Sequence, residues 1–400
     1  MKDPPLPLDD AQARLLELAP CLPIELRPIE HCAGFYLAED LSAQRTQPAA
    51  AMSAMDGYAL AEGSAGGPWR IVGESAAGHP YDGLLERGEA VRISTGALLP
   101  AGSGTILLQE DCARDGDRVR LTGEPPQPGR HIRRAGFDFA AGEPLLAAGT
   151  RLGPAQLALA IAAGHGALKV RRALRLTVID SGDELVRPGR PCPPHRLPAS
   201  NAPMLAALAG SLPCAISRCG PVPDRLDALV AAFEQAGSAD LVAISGGASV
   251  GEHDLARPAL VALGAELAFW RVAIKPGKPL LVARRGSQLI LGLPGNPASA
   301  FVTGFLFLLP LIRAALGARE ALPRPIPARL AAALPGGGRR TELVRARWDG
   351  FSVRAEAEQD SGALRPLAAA NALIRRDVGA PAAAAGDELP IYLLENGCFA

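Results

Sequence analysis

The sequence predicts a multi-domain protein of α/β class, mixed α and β overall: a three-layer α/β domain, a β-rich insert, an elongated N-terminal region and a small C-terminal β-barrel domain. Three observations carry this. Between 171 and 322, apolar strand-like runs alternate with helical runs, the pattern of a mostly parallel sheet covered on both faces. From 46 to 140 the texture shifts to short alternating runs broken by Gly and Pro, which reads as a β insert. Beyond 323, two alternating runs flank Asp349-Gly350, a strong hairpin signal. A chain of 400 residues is too long for one ordinary domain. The expected division is 1–45 plus 141–170 for the N-terminal region, 46–140 for the insert, 171–322 for the α/β domain and 323–400 for the last.

Composition narrows the function classes. Lysine and arginine total 41 and aspartate and glutamate 41, so no basic excess points to nucleic acid and no acidic excess to disorder. The 37 prolines and 44 glycines mostly punctuate apolar segments. Seven cysteines are scattered without C-x-x-C pairs, and reduced thiols are the expectation. The first residues lack the charged and apolar regions of a secretory signal, and the most apolar run, 298–315, is interrupted by Pro310 and Arg313. A cytoplasmic protein without a membrane segment is expected.

In chain order, Asp9-Asp10 are expected to cap a helix whose apolar side is Leu15, Leu16 and Leu18. Residues 30–41 read as short helix or extended chain. The insert offers strands near 69–72, 90–93 and 105–109, and ends after Arg130-His131-Ile132-Arg133-Arg134, a solvated charged edge or a contact for an anion. Pro154 starts and Gly164 stops the next helix. The α/β segment follows as strand 174–180, helix 202–209, strand 214–218, helix 225–235, strand 241–245, helix from 254 to 263, strands 279–283 and 288–293, and helix 297–315. Strands at 341–348, 351–356, 373–376 and 388–395 complete the chain.

Ligands on such sheets bind beyond the carboxyl ends of the strands. One strand ends in Ser181-Gly182-Asp183-Glu184. The next ends in Ser245-Gly246-Gly247, with Ser249, Gly251, Glu252 and Asp254 close behind. Paired glycines reach φ > 0 and turn backbone N–H groups outward, which suits an anion, while the carboxylates suit a hard cation. Phosphate and carboxylate at about 4 Å repel by roughly 4 kcal/mol at an effective dielectric near 20, so these acids turn to solvent or share a cation such as Mg²⁺. The same segment also reads as a plain glycine turn before a helix cap. The last strand ends in Pro294-Gly295-Asn296-Pro297, where Asn296 suits an N-cap and Pro297 the first helical position, with Ser299 one turn on. Between these ends, Lys275-Pro276-Gly277-Lys278 stiffens a loop bearing two ammonium groups, either oxyanion clamps or solvated lysines. In the insert, Asp56 precedes Gly57 and Thr95 precedes Gly96, both ordinary turn chemistry taken alone.

Five motifs in this order, Ser53-Ala54-Met55-Asp56-Gly57-Tyr58, Ser181-Gly182-Asp183-Glu184, Ser245-Gly246-Gly247 through Asp254, Lys275-Pro276-Gly277-Lys278-Pro279 and Gly292-Leu293-Pro294-Gly295-Asn296-Pro297, resemble the molybdopterin molybdenumtransferase family, the MoeA family, over nearly the whole chain. The resemblance implies an elongated four-domain homodimer, with a molybdopterin-binding α/β domain, that inserts molybdate into adenylyl-molybdopterin with Mg²⁺ and releases AMP. It implies that Ser181, Gly182, Asp183, Ser245, Gly246, Gly247, Ser249, Pro294, Gly295, Asn296, Pro297 and Ser299 bind substrate. Lys275 and Lys278 would hold molybdate or the diphosphate, and Glu184 and Asp254 would serve the metal. Asp56 and Thr95 would reach the cleft across a dimer interface, and other proteins of molybdenum cofactor biosynthesis are expected partners. Acids of the family pattern are missing at Ala199, Arg225 and Phe137. A non-catalytic molybdopterin carrier is therefore the alternative.

Overall fold

The computed structural model describes residues 4–64, 66–247 and 255–394. Its N-terminal helix is Leu8–Glu17, and Asp9 and Asp10 lie in its first turn rather than capping it. There they complement the positive helix end, and Asp9 is claimed by Arg375 of the C-terminal domain at 2.8 and 3.1 Å. Segments on either side of the insert meet: Ile24–Pro28 pairs antiparallel with Ala167–Arg171, and Leu41–Ser42 with Pro144–Leu146. Ile29, Cys32, Leu152 and Val170 are buried between them, beside the helix Pro154–Ala162. Within 30–41 the only helix is the end of the short 3₁₀ turn Ile29–His31.

The insert is a six-stranded sheet ordered Ser103–Leu108, Gly57–Ala61, Glu89–Ile93, Trp69–Ser75, Arg118–Leu121, Cys112–Asp115. Alternation places Ala59, Val91 and Ile106 on one face and Tyr58, Leu60 and Leu107 on the other.

The α/β domain holds a six-stranded sheet ordered Cys214–Val222, Leu174–Ser181, Leu241–Ser245, Gln288–Leu293, Leu281–Arg285, Glu266–Trp270. The first four strands are mutually parallel. Leu281–Arg285 runs antiparallel to its neighbours because only Gly286 and Ser287 join it to Gln288–Leu293, too short a link for a crossover. Leu241–Ser245 is buried throughout, as a central strand covered on both faces must be. One face packs on Ala202, Leu205 and Phe305, the other on Leu229, Phe233 and Leu260. The strand Glu266–Trp270 was not expected. It is an edge strand whose first three residues are exposed, so no apolar pattern marks it.

From Pro297 to Ala315 one helical run crosses the core, with a π turn at Gly304–Leu308. Pro310 leaves the Leu306 carbonyl without its helical donor, and the side-chain amide of Gln12 supplies one at 2.9 Å. This segment is long and apolar enough to cross a membrane, with mean hydropathy 1.8, yet 89% of it is buried inside the protein. Proline and arginine do not disqualify it; burial assigns it to the core.

Five strands close into the C-terminal barrel. Thr341–Trp348 pairs with Ser352–Ala355 and Ala372–Arg376, and Ile326–Leu330 and Glu388–Leu393 complete the ring. Ile274–Lys275 of the lysine loop adds to Thr341–Trp348 as a parallel strand, with Lys275 opposite Glu342. Among the described residues all six cysteines are free thiols.

Candidate active site

Three strand ends of the α/β sheet form one row, Asp180 beside Ser245 and Ser245 beside Leu293. The Asn201 amide locks two of them together. Its Nδ2 donates to Ser245 Oγ at 2.8 Å and to the Gly295 carbonyl at 2.6 Å, and Ser245 Oγ donates to the Pro294 carbonyl at 3.1 Å. Behind them the Asp180 carboxylate accepts the Ala202 N–H at the head of the helix Asn201–Ala209. Burial pushes the Asp180 carboxyl up, opposed by that hydrogen bond and by Arg218. Gly246 sits at φ +96°, and a Cβ there would meet the Ser181 carbonyl at 2.1 Å, so the loop admits only glycine. On the opposite face Ser181 Oγ donates to Asp224 at 3.0 Å, while Asp183 and Asp224 each accept the other's backbone N–H at 3.2 and 3.3 Å. Ser181, Asp183, Ser245, Gly246 and Gly295 thus share one sheet edge, and Gly182 and Gly247 lie in the same two loops.

Asn296 occupies the N-cap position before Pro297, but its side chain does not cap the helix. Its amide donates instead to Ser361 Oγ at 2.8 Å, and the Ala298 N–H donates to the Ser361 carbonyl at 3.0 Å. The expected cap is displaced by a barrel loop that reaches the helix end first. That loop is pinned by Arg345, 1% exposed, whose guanidinium donates to the carbonyls of Glu358, Asp360 and Ala363. Between barrel and helix lies a cavity of about 610 Å³ lined by Lys275, Lys278, Ser299, Arg340, Glu342 and Ser361. The two lysines differ. Lys275 Nζ pairs with Glu342 at 3.2 Å, whereas Lys278 carries no ion pair among the described residues.

In the insert, Thr95 donates to Asp56 through its backbone N–H at 2.6 Å and its hydroxyl at 3.0 Å. These bonds hold the Asp56 carboxyl below its ordinary value, backbone donor first. The pair is exposed and its partners lie within the insert, so this chain alone does not bring it to the strand ends. Glu184 is exposed, and its side chain makes no hydrogen bond among the described residues. No cluster of three potential metal ligands occurs among the described residues. Ser249 and Asp254 lie outside them. At the positions of missing acids, Arg225 pairs with Asp227, Phe137 is 71% exposed, and Ala199 is 3% exposed.

Sequence reasoning assigned no role to Asp180, which it read only as the end of a strand, nor to Asn201 and Asp224, and it passed over Arg345 and Ser361. Asp180 closing an apolar strand and Asn201 opening an apolar helix were visible signals; Arg345 and Ser361 had none, since their contacts are remote in sequence.

Three family descriptions tile the chain: "MoeA N-terminal region (domain I and II)" over residues 6–164, "Probable molybdopterin binding domain" over 177–314 and "MoeA C-terminal region (domain IV)" over 327–394. A molybdopterin molybdenumtransferase of Haemophilus influenzae is 35% identical over 319 residues, covering 79% of each chain. The chain belongs to the MoeA family. A second MoeA relative, molybdopterin molybdenumtransferase 2 of Mycobacterium tuberculosis, is 34% identical over 393 residues, 93% of this chain and 95% of that one. The MoeA structure from the archaeon Pyrococcus horikoshii superposes with TM-score 0.79 at 28% identity, covering 98% of this chain and 99% of its own.

Proposed function

We propose that this MoeA protein is a molybdopterin molybdenumtransferase of molybdenum cofactor biosynthesis, inserting molybdate into adenylyl-molybdopterin and releasing AMP. One observation carries the reading: glycine loops at three strand ends and a lysine-lined cavity lie along one edge of the sheet. The reaction handles anions at every stage. Ser245, Gly246 and Gly247, with Gly295 and Asn296, would hold the phosphate-bearing part of the substrate through outward N–H groups, and Pro294, which has none, would shape the loop between them. Pro297 and Ser299 extend that wall into the cavity, and Ser181, Gly182 and Asp183 form the neighbouring one. Lys278, without an ion pair among the described residues, would take the oxyanion; Lys275, paired with Glu342, would position it. As the bond to adenylate breaks, AMP takes the negative charge, and fixed ammonium groups stabilise it without reorganising.

Mg²⁺ is held by oxygen ligands and needs few of them from the protein when substrate phosphates supply the rest. The donor set fits that demand. Asp183 and Asp224 spend oxygens on amides, while Glu184 keeps its carboxylate free, so Glu184, with Asp254, would hold the ion. Bound there, Mg²⁺ would neutralise phosphate charge. Asp56 and Thr95, exposed and prearranged, would act in the cleft of a second copy, making the working unit a homodimer. Cytoplasmic residence and contact with the proteins that deliver adenylyl-molybdopterin belong to the same reading. The test is direct: AMP released from adenylyl-molybdopterin, measured by chromatography with and without molybdate and Mg²⁺. Release that needs both supports the transferase. Binding of molybdopterin with no release leaves the carrier instead.

A further inference from the structure

A second cavity, about 800 Å³, is lined by Asp180, Ala199, Ala202, Arg187, Arg218 and Cys219. Asp180 is 4% exposed, yet among the described residues its carboxylate accepts one donor only, the Ala202 N–H, 3.0 and 3.1 Å from its two oxygens. A carboxylate offers about four lone-pair sites, so most of its capacity is unspent. A second buried acceptor stands beside Ala202, outside the lining of this cavity. Asn201 is 8% exposed and its Oδ1 is buried without a partner among the described residues. Turning the amide over gives no relief, because the Gly295 carbonyl only accepts and Ser245 Oγ gives its proton to Pro294. Buried acceptors left unmet are costly, and a ligand that satisfies them gains what they lose.

The two oxygens of a carboxylate with spare acceptor capacity call for a ligand edge with adjacent N–H donors. Of the two ring systems in adenylyl-molybdopterin, the pterin has such an edge, its 2-amino group beside a ring N–H; adenine sets its amino group between ring acceptors. Arg187 and Arg218, exposed and without ion pairs among the described residues, suit the anionic remainder of the same molecule. Ala199, one of the positions that lacks the family's acid, lines this cavity too, and Asp180 returns a carboxylate to its wall. We propose that Asp180 is the residue that reads the pterin, its carboxylate accepting the 2-amino and ring N–H donors. This rests on the reading of the chain as a molybdopterin transferase. It puts the pterin at Asp180 and the oxyanion chemistry at Lys278, with the Asn201–Ser245 junction between them.

The test compares pterin with lumazine, in which a 2-oxo group replaces the 2-amino group, by quenching of pteridine fluorescence on the full-length protein. Wild type is expected to prefer pterin by at least about tenfold, the range of a hydrogen bond to a charged group. In Asp180→Asn the amide oxygen still accepts the Ala202 N–H, while the new NH₂ opposes the donor edge. That variant should lose about 10- to 100-fold in pterin affinity and turn to lumazine, with AMP affinity unchanged. In turnover its KM for adenylyl-molybdopterin should rise while kcat holds. A wild-type protein that does not tell pterin from lumazine overturns the assignment, and needs no variant to do so; a variant that keeps the pterin preference overturns it equally. Pterin selectivity without any AMP release would instead sink the transferase reading and leave this subsite standing.

Discussion

The strand-end junction of the α/β domain and the Asp56–Thr95 pair of the insert both rest on hydroxyl and carboxylate side chains, joined at the junction by an amide, but in opposite states. At the junction Ser245 is 2% exposed and Asn201 8%, and every bond they make ties one segment of the domain to another. In the insert the carboxylate is exposed and its bonds run only to Thr95. Burial makes the first group part of the fold as well as of the site. Exposure leaves the second outside the packing of the domain. Stability and activity should therefore part company between the two regions.

The sharpest break comes from pairing insert and lysine variants. Lys278→Ala should lower kcat for AMP release by about 10²- to 10³-fold, the usual loss for one fixed oxyanion partner, with little change in melting temperature. Asp56→Ala should likewise cost activity, with only a small change in stability. Mixed as unfolded chains and refolded together, the two inactive variants should recover activity, because heterodimers then hold one site with both residues intact. No recovery would place Asp56 in its own chain's site or outside catalysis.

Next in size is the junction itself. Ser245→Ala strands the Pro294 carbonyl and removes an acceptor from Asn201, so denaturant unfolding should show a loss of about 2 kcal/mol. Thr95→Ala, by contrast, should stay within about 0.5 kcal/mol. Equal losses at the two positions would erase the distinction drawn here.

The smallest effect is in pH dependence, and the two carboxylates should oppose each other. The Asp56 carboxyl is lowered in the folded protein, so its contribution is present above the ordinary carboxylate pKa near 4 and fades as pH falls through the folded value. The Asp180 carboxyl is raised by burial, so folded protein holds the extra proton and stability falls as pH rises through the window between the ordinary and raised values. Carboxyl-carbon NMR titration of both residues checks the signs.

How much was legible follows the range of the interactions. Strands 174–180, 241–245 and 288–293 were readable because apolar runs bounded by Gly, Pro and Asp report local preference and burial together. The Asp349-Gly350 hairpin was readable for the same reason, and Asp349 accepts the Phe351 and Ser352 N–H groups as such turns require. The strand Glu266–Trp270 was not, since a sheet edge imposes no alternation. The Asn296 cap failed for a different cause: the residue has the right chemistry, but Ser361 from the barrel competes for it. Nothing within a few residues of Asn296 encodes that competitor.

By itself the sequence determined the alternation of strand and helix in the α/β domain, the glycine loops at its strand ends and the lysine pair of the connecting loop, because backbone freedom, side-chain period and charge are properties of neighbouring residues. Only the tertiary structure decided that Asn201 fastens two of those ends, that Glu342 pairs with Lys275 while Lys278 has no ion pair among the described residues, and that Asp180 faces a cavity with unused acceptor capacity. Those outcomes depend on which distant groups reach a polar atom first once water is excluded, and folding settles that contest for the molecule as a whole.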